Sequence, residues 1–208
     1  MISLNGCSGH KSPENNKAVK INESRDTSLL FDGKTLNGWE ITNFGPQGPV
    51  YVSGDKIIFG MGDGCTGITW KGAFPRMGYE ITLDAMRVAG NDFFCGMTFP
   101  VGKSYCSLII GGWGGATVGL SSIEGQDAAE NETTILHNFD KDRWYHIRLI
   151  VTDVYIKSWI DSIQVVDFKI GYKKLSIRPE VELSKPFGIT SWNTTASIKN
   201  IHLYRIEK

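Results

Sequence analysis

The chain has 208 residues, 41% of them apolar, and its 22 basic side chains balance its 22 acidic ones. That length suits one all-β domain, or at most two small ones, with enough apolar residues for a core that needs no disulfides or metals. The lack of net charge and of any long apolar run excludes a basic nucleic-acid-binding face and a transmembrane helix.

The N-terminal segment has the composition of a solvated tether. Residues 8–27 are rich in serine, asparagine, lysine and glutamate and show almost no apolar periodicity. Residues 1–26 are therefore predicted to form a flexible tether before a domain over residues 27–208. Cys7, which follows Leu4-Asn5-Gly6, resembles the lipobox cysteine of bacterial lipoproteins, which is acylated after signal cleavage. A lipid anchor and a chance match are both open at this point.

The rest of the chain reads as short strands and tight turns, because glycine is frequent (24 residues) and 11% of the residues are aromatic. The first clear strand covers residues 79–86, where apolar and mostly polar side chains alternate. Tyr79 begins its apolar face, and Glu80 and Asp84 share the opposite face. Period-two alternation of this kind is typical of a strand that is buried on one side.

A β-hairpin is predicted over residues 93–110, with its turn at residues 100–103. One face is apolar and begins at Phe93, and the other carries Gly96, Thr98, Tyr105, Ser107 and Ile109. A one-residue shift would mix the two faces, so the alternation constrains the register. The expected pairs are Phe99 with Ser104, Met97 with Cys106, and Cys95 with Leu108.

Residues 144–151 form the next predicted strand, with Tyr145 and Ile147 directed inward and His146 and Arg148 directed outward. Further strands are expected over residues 154–160, 164–168, 187–192 and 198–206, and a single helical turn within residues 122–137. About ten to twelve short strands, each with one apolar face, must pair two sheets face to face. The predicted fold is one curved, jelly-roll β-sandwich.

The four cysteines are Cys7, Cys65, Cys95 and Cys106, and none belongs to a C-x-x-C pair. The four histidines are also far apart in sequence, so no zinc site is expected. In the predicted hairpin, Cys95 and Cys106 are diagonal neighbours. We favour two free core thiols over a disulfide.

Two further segments resemble cofactor or metal sites. Gly62–Gly67 matches G-x-G-x-x-G, but a strand follows it, so no helix N-terminus is available for a pyrophosphate. The acidic segment Glu124–Glu132 could bind Ca²⁺ or form a solvated surface loop, and we favour the solvated loop. No cofactor is therefore predicted.

The tryptophans indicate a carbohydrate site, because the C–H faces of sugars stack on aromatic rings. Trp113 lies between glycines that give it little cover, and Trp192 falls on the face opposite Phe187 and Ile189. Both are candidate sugar platforms, although either could instead be an ordinary packing residue. The remaining tryptophans are assigned to packing: Trp39, Trp70, Trp144 and Trp159.

Carboxylates are the candidate catalytic groups, because glycoside hydrolysis needs a pair of them roughly 5–9.5 Å apart. Glu80 and Asp84 lie four residues apart on one strand, about 13 Å at ~3.3 Å per residue, so they are too distant to form this pair. Asp92, which opens the next strand, is the candidate partner for Glu80. Arg148 and His146 line the same groove or face solvent.

A family resemblance adds to this interpretation. Residues 30–39 read Leu-Phe-Asp-Gly-Lys-Thr-Leu-Asn-Gly-Trp, which resembles the opening motif of the domain of unknown function 1080 (DUF1080), also called the 3-keto-disaccharide hydrolase domain. The resemblance extends over about residues 29–206. Four further segments match less specific family motifs, in the same order: residues 78–84, 143–148, 156–167 and 188–201. The resemblance implies a concanavalin A-like jelly roll that is exported from bacteria and acts on glycosides.

The chain departs from the family pattern at two places. The family motif GYEVQI falls near residues 105–109, where this chain has no carboxylate, and the family's Asp-His pair falls at Ser191-Trp192. These departures favour sugar binding over catalysis more than the family name suggests.

Three functions remain open. The first is an extracytoplasmic hydrolase of a (3-keto-)glycoside, the second a non-catalytic carbohydrate-binding module, and the third an adhesion domain whose exposed tryptophans contact a protein. The oligomeric state and the sugar are not predicted. The candidate catalytic residues are Glu80 and Asp92, and the candidate substrate-binding residues are Asp84, Tyr105, Trp113, Arg148, Trp192 and Asn193.

Overall fold

The computed structural model describes Met1 and residues 27–206. The predicted tether and Cys7 lie outside the described residues. In chain order the strands are β1 (Thr27–Leu29), β2 (Trp39–Ile41), β3 (Val50–Ser53), β4 (Lys56–Phe59), β5 (Cys65–Trp70), β6 (Tyr79–Gly90), β7 (Cys95–Val101), β8 (Ser104–Gly112), β9 (Thr117–Ser121), β10 (Ile135–Leu136), β11 (Trp144–Val151), β12 (Tyr155–Ile160), β13 (Ile163–Lys169), β14 (Gly188–Trp192) and β15 (Thr194–Arg205). A short 3₁₀ helix covers Pro179–Ser184.

The strands form two antiparallel sheets, which confirms the predicted β-sandwich. An eight-stranded sheet has the order β13-β12-β11-β6-β15-β4-β3, with β1 also paired to β15. A seven-stranded sheet has the order β10-β9-β8-β7-β14-β5-β2. Consecutive strands β6 and β7 belong to different sheets, so the chain crosses the sandwich between them.

The hydrophobic core lies between the two sheets and is built by period-two alternation. In the eight-stranded sheet, Tyr79, Ile81 and Leu149 point inward and are fully buried. Met97 and Leu108 do the same in the seven-stranded sheet. Residues of the other parity, including His146, point away from the core, as the alternation predicted.

The described part of the chain has more strands than the expected number of about ten to twelve. The additional ones, such as β1, β2 and β10, are two or three residues long and too short for alternation to be recognised. The expected helical turn within residues 122–137 is wrong: that segment forms turns and the strand β10.

The β7–β8 hairpin is shifted by two residues from the predicted register. Phe99 pairs with Cys106 and Val101 with Ser104, so the turn contains only Gly102 and Lys103. Gly102 has a φ of 58°, which glycine adopts at little cost. Because the shift is an even number of residues, every side chain keeps its predicted face.

The three described cysteines, Cys65, Cys95 and Cys106, are free and buried. This confirms the prediction of free core thiols for Cys95 and Cys106. No helix among the described residues is long and apolar enough to span a membrane.

Candidate functional site

A cavity of about 170 Å³ lies on the outer face of the seven-stranded sheet. This volume is below the ~300–1,000 Å³ of typical drug-sized ligand sites, so the cavity suits a ligand about the size of one sugar ring. We call it the aromatic cavity. It is lined by Cys65, Asp92, Phe93, Ser107, Ile109, Trp113, Ser121, Arg178, Glu180, Val181 and Trp192.

Trp113 enters the cavity from a tight loop after β8. Its own φ is 46°, and Gly111 and Gly115 have φ values of 79° and 109°. Such angles are strained for residues with side chains, and glycine adopts them readily, so the neighbouring glycines allow this loop to form. The Trp113 side chain remains 44% exposed, which leaves its ring available to a ligand.

Trp192 and Phe93 form a second aromatic element of the cavity. Their ring centroids are 6.4 Å apart, and the main-chain N–H of Trp192 donates to the main-chain carbonyl of Phe93 over 3.0 Å. Gly96 makes room for Phe93, because a Cβ at Gly96 would lie 3.0 Å from the Phe93 ring. The outward parity of Trp192, predicted from Phe187 and Ile189, is confirmed, because those two residues lie in the core and Trp192 lines the cavity.

Asp92 places a carboxylate at the edge of the aromatic cavity. Its Oδ1 accepts a hydrogen bond from the Phe93 N–H over 2.7 Å, and its own N–H donates to Thr194 Oγ1 over 3.1 Å. The main-chain amide and the carboxylate of Asp92 are therefore both fixed by hydrogen bonds, and the carboxylate has a defined position beside the aromatic rings.

A group of hydrogen-bonded charged side chains borders the cavity at the start of the 3₁₀ helix. Arg178 donates two hydrogen bonds to Glu180, of 2.9 and 3.3 Å, and another to Asp127. Asp127 in turn accepts from the Ser121 and Ser122 hydroxyls. The hydrogen bonds from Arg178 lower the pKa of the Glu180 carboxyl, so Glu180 is ionised at neutral pH and cannot serve there as a general acid.

Cys65 lines the cavity as a neutral thiol. Burial raises its pKa to about 12, and the negative charge of Glu180 contributes to the rise. A thiol with such a pKa has almost no thiolate at neutral pH and is therefore not a nucleophile.

Glu80, Asp84 and Arg148 lie on the outer face of the eight-stranded sheet, on the opposite side of the sandwich. Arg148 Nη2 is 2.9 Å from a Glu80 carboxylate oxygen. Asp84 contacts His146 Nδ1 at 2.7 Å and accepts a hydrogen bond of 2.6 Å from Asn200. Each of the three side chains has a partner on this face, and none of them lines the aromatic cavity.

The predicted pairing of Glu80 with Asp92 is therefore wrong. β6 belongs to the eight-stranded sheet, and the chain crosses to the other sheet directly after it. Asp92, which follows the crossing, lies at the aromatic cavity, whereas Glu80 lies on the outer face of the eight-stranded sheet. Only Asp92, Trp113 and Trp192 of the predicted site residues come together.

The other predicted site and packing residues have different positions. Tyr105 is on the same outer face as the cavity, but its ring lies between Arg76 and Lys185. Asn193 accepts a hydrogen bond from the Gly64 N–H and supports the β14–β15 turn. Of the tryptophans assigned to packing, Trp39 is in the core, Trp70 packs against it, and Trp144 and Trp159 lie outside it on the eight-stranded sheet beside Lys199 and Arg148.

Sequence reasoning missed several lining residues. Alternation around the hairpin already placed Ser107 and Ile109 on the outer face, and that signal could have identified them. Arg178 and Glu180 lie in a segment without periodicity, so nothing local predicts that they reach the cavity. Phe93 was assigned to the apolar face of the hairpin, but it precedes β7 and turns outward.

The acidic segment Glu124–Glu132 is a structured loop. Asn131 is buried and donates to the carbonyls of Leu120, Gln126 and Asp127. Within residues 27–206, no group of three or more histidine, cysteine, aspartate or glutamate side chains is placed to hold a metal ion.

The chain shares its fold with several solved structures. A candidate glycosyl hydrolase from Parabacteroides distasonis is 16% identical with a TM-score of 0.55, over 87% of this chain and 94% of that one. The carbohydrate-binding module CBM66 from Bacillus subtilis is 16% identical with a TM-score of 0.54, over 80% and 95%. A Bacillus subtilis protein of unknown function with a galectin-like fold is 11% identical with a TM-score of 0.59, over 83% and 91%.

No curated protein sequence matches the chain. The family model of the 3-keto-alpha-glucoside-1,2-lyase-like domain matches residues 26–204, which is nearly all of the described chain. This protein therefore belongs to the family of 3-keto-alpha-glucoside-1,2-lyase-like domains.

Proposed function

We propose that this protein binds carbohydrate in the aromatic cavity. The observation that carries the proposal is the convergence of Trp113, Trp192 and Phe93 on one small cavity beside the Asp92 carboxylate. The negative faces of aromatic rings attract the slightly positive C–H groups of a sugar ring. The Asp92 carboxylate and the hydroxyls of Ser107 and Ser121 are suitable partners for sugar hydroxyls.

Binding is favoured over hydrolysis by the positions where the chain departs from its family pattern. The family motif GYEVQI falls near residues 105–109, of which Ser107 and Ile109 line the cavity, and the family's Asp-His pair falls at Ser191-Trp192, of which Trp192 lines it. Residues 105–109 therefore bring no carboxylate to the cavity, and Trp192 stands where the family resemblance implies a histidine. A non-catalytic carbohydrate-binding module needs only an aromatic platform and polar side chains beside it.

The charges of the cavity favour a neutral sugar. Its charged lining residues are Asp92, Glu180 and Arg178, and the Arg178 guanidinium is engaged by Glu180 and Asp127. The remaining negative charge of Asp92 disfavours a second carboxylate, because like charges brought together at a binding site are costly.

We expect a neutral sugar to bind at least about tenfold more tightly than its matched uronic acid, a difference of about 1.4 kcal/mol. Calorimetry with pairs such as methyl glucoside and methyl glucuronide, and methyl galactoside and methyl galacturonide, measures this ratio. Raising the salt concentration should shrink the difference, because exposed charges are screened. Absence of binding by every saccharide on a broad glycan array would contradict the proposal, and equally tight binding of the uronic acids would contradict the preference for neutral sugars.

A second candidate function is cleavage of a 3-keto-glycoside, which is favoured by the defined position of the Asp92 carboxylate and by the family's lyase description. Elimination needs one base rather than a carboxylate pair. In this reaction Asp92 would take the C2 proton next to the ketone. The C–H electron pair would form the C1–C2 double bond as the C1–O bond breaks. The leaving oxygen would then take the proton from the Asp92 carboxyl, which returns to a carboxylate.

This candidate predicts that Asp92→Asn lowers the cleavage rate of a 3-keto-glucoside at least about 100-fold, the scale of a lost general base. The asparagine keeps the oxygen that accepts from Phe93, so saccharide affinity should change much less than the rate. Release of the alcohol, followed by chromatography, provides the measurement. Absence of turnover by the unsubstituted protein, or an unchanged rate in Asp92→Asn, rejects the cleavage candidate while leaving binding untouched.

We also propose an extracytoplasmic location, because the family resemblance implies an exported protein. Acylation of Cys7, with the residues from Cys7 to residue 26 acting as a tether, is the form of attachment consistent with the lipobox resemblance. Labelling with a radioactive fatty acid, compared with Cys7→Ala, tests it.

A further inference from the structure

Arg87 is a buried cation beneath the aromatic cavity. It has the inward parity of Tyr79 and Ile81 on β6, and only 5% of it is exposed. Its guanidinium lies 5.1 Å from the centroid of Phe94 and 5.7 Å from that of Phe139. Arg87 thus extends from the eight-stranded sheet towards the loops at the end of the other sheet.

The Arg87 guanidinium binds the main chain on both sides of the cavity. Nη2 donates to the carbonyls of Gly115 at 2.8 Å, Gly111 at 3.1 Å and Asp92 at 3.3 Å. The first two carbonyls lie at the ends of the loop that carries Trp113. One side chain therefore connects the Trp113 loop with the segment that carries the cavity carboxylate.

The glycines at the two ends of the Trp113 loop leave room for the Arg87 guanidinium. A Cβ at Gly111 would lie 2.4 Å from Arg87 Nη2, and one at Gly115 would lie 3.3 Å from Nη1. Both glycines have positive φ, so their backbone turns the carbonyls towards the guanidinium without a side chain in the way.

The Arg87 guanidinium is costly to bury as a charge, and its hydrogen bonds to the main chain offset that cost. Burial disfavours the charged form and lowers the pKa of Arg87, although Asp92 opposes this effect. Nε has no hydrogen-bond partner among residues 27–206. An apolar side chain of similar length could pack against Phe94 and Phe139 without this cost, but it would release the three carbonyls.

We propose that Arg87 is a positioning residue that holds Trp113 and Asp92 in their places around the aromatic cavity. The inference rests on the proposed saccharide site for its functional meaning. The geometric part, that Arg87 holds the Trp113 loop, can be tested without a ligand.

The test uses the full chain labelled with 5-fluorotryptophan, which has six ¹⁹F resonances, one for each tryptophan. Trp113→Phe identifies the Trp113 resonance, and Trp159→Phe identifies one on the opposite face. In Arg87→Met, the Trp113 resonance should shift by more than its linewidth, whereas that of Trp159 should not move. In Arg87→Lys the Trp113 shift should be smaller, since an ammonium can still donate to part of the carbonyl set.

Arg148→Met is the matched control, because Arg148 is 4.7 Å from the Trp159 ring on the outer face of the same sheet. It should move the Trp159 resonance and leave that of Trp113 in place. A folded Arg87→Met with an unchanged Trp113 resonance overturns the proposal. If Arg87→Met does not fold, Arg87→Lys decides: an unchanged Trp113 resonance overturns the proposal, and a selective shift supports it.

Saccharide titration of the same samples tests the effect of Arg87 on saccharide binding separately from its effect on the position of the Trp113 loop. If the methyl glycosides bind, Arg87→Met should weaken them at least tenfold and Arg87→Lys less. Unchanged affinity in Arg87→Met overturns the functional meaning of the positioning. If no saccharide binds the unsubstituted protein but the Trp113 resonance still shifts in Arg87→Met, the proposed function fails and the geometric role of Arg87 stands.

Discussion

Replacement of Trp113 by alanine is expected to weaken saccharide binding roughly tenfold to a hundredfold. Trp113 is 44% exposed in the free protein, so a sugar stacked on its ring would remove a large apolar surface from water. Burial of one large side chain is worth about 1.5–3 kcal/mol, and each 1.4 kcal/mol changes the dissociation constant tenfold. Calorimetric titration with a saccharide found on the glycan array measures the change.

Trp144→Ala is the matched control for this prediction. Trp144 lies beside Lys199 on the outer face of the eight-stranded sheet, so its loss should leave the affinity unchanged. Equal losses in the two variants would mean that the saccharide does not contact the aromatic cavity specifically. An unchanged affinity in Trp113→Ala would remove Trp113 from the site, and Trp192→Ala would then test the second platform.

Leu149→Ala is expected to reduce the free energy of unfolding by about 2–5 kcal/mol, the range for truncating a fully buried leucine. Leu149 has no exposed surface and packs in the core between the two sheets. Its removal leaves a cavity in a closely packed interior, and the surrounding strands can collapse only in part. Urea denaturation followed by tryptophan fluorescence gives the unfolding free energy.

The same substitution at Leu136 provides the comparison. Leu136 is 78% exposed on the short strand β10, so Leu136→Ala should change the unfolding free energy by no more than about 0.5 kcal/mol. A small loss at Leu149, or equal losses at both positions, would contradict the assignment of the Leu149 face to the core.

The part of the site that sequence reasoning predicted is the part encoded locally. Trp113 was recognised because glycines surround it, and Trp192 because it alternates with Phe187 and Ile189. Parity also located Ser107 and Ile109 correctly, even though the predicted hairpin register was two residues out. These inferences needed only the geometry of one strand or one turn.

The predictions about the site that were wrong or incomplete required knowledge of which sheet each strand joins. Glu80 and Asp92 are twelve positions apart in sequence and both are polar, so they were natural partners for a catalytic pair. The chain crosses from one sheet to the other between them, and the two carboxylates end on opposite sides of the molecule. Arg178 and Glu180 reach the cavity from a distant segment for which no local pattern exists.

The amino-acid sequence by itself determined that this protein is a two-sheet sandwich and which side chains of the longer strands enter the core. It did so because the pleat of a strand turns successive side chains to opposite faces, and this property depends on neighbours in the sequence alone. Only the tertiary structure decided that Asp92, Trp113 and Trp192 surround one cavity and that Glu80 does not. Strand order depends on the joint packing of all the apolar faces, which no single strand encodes.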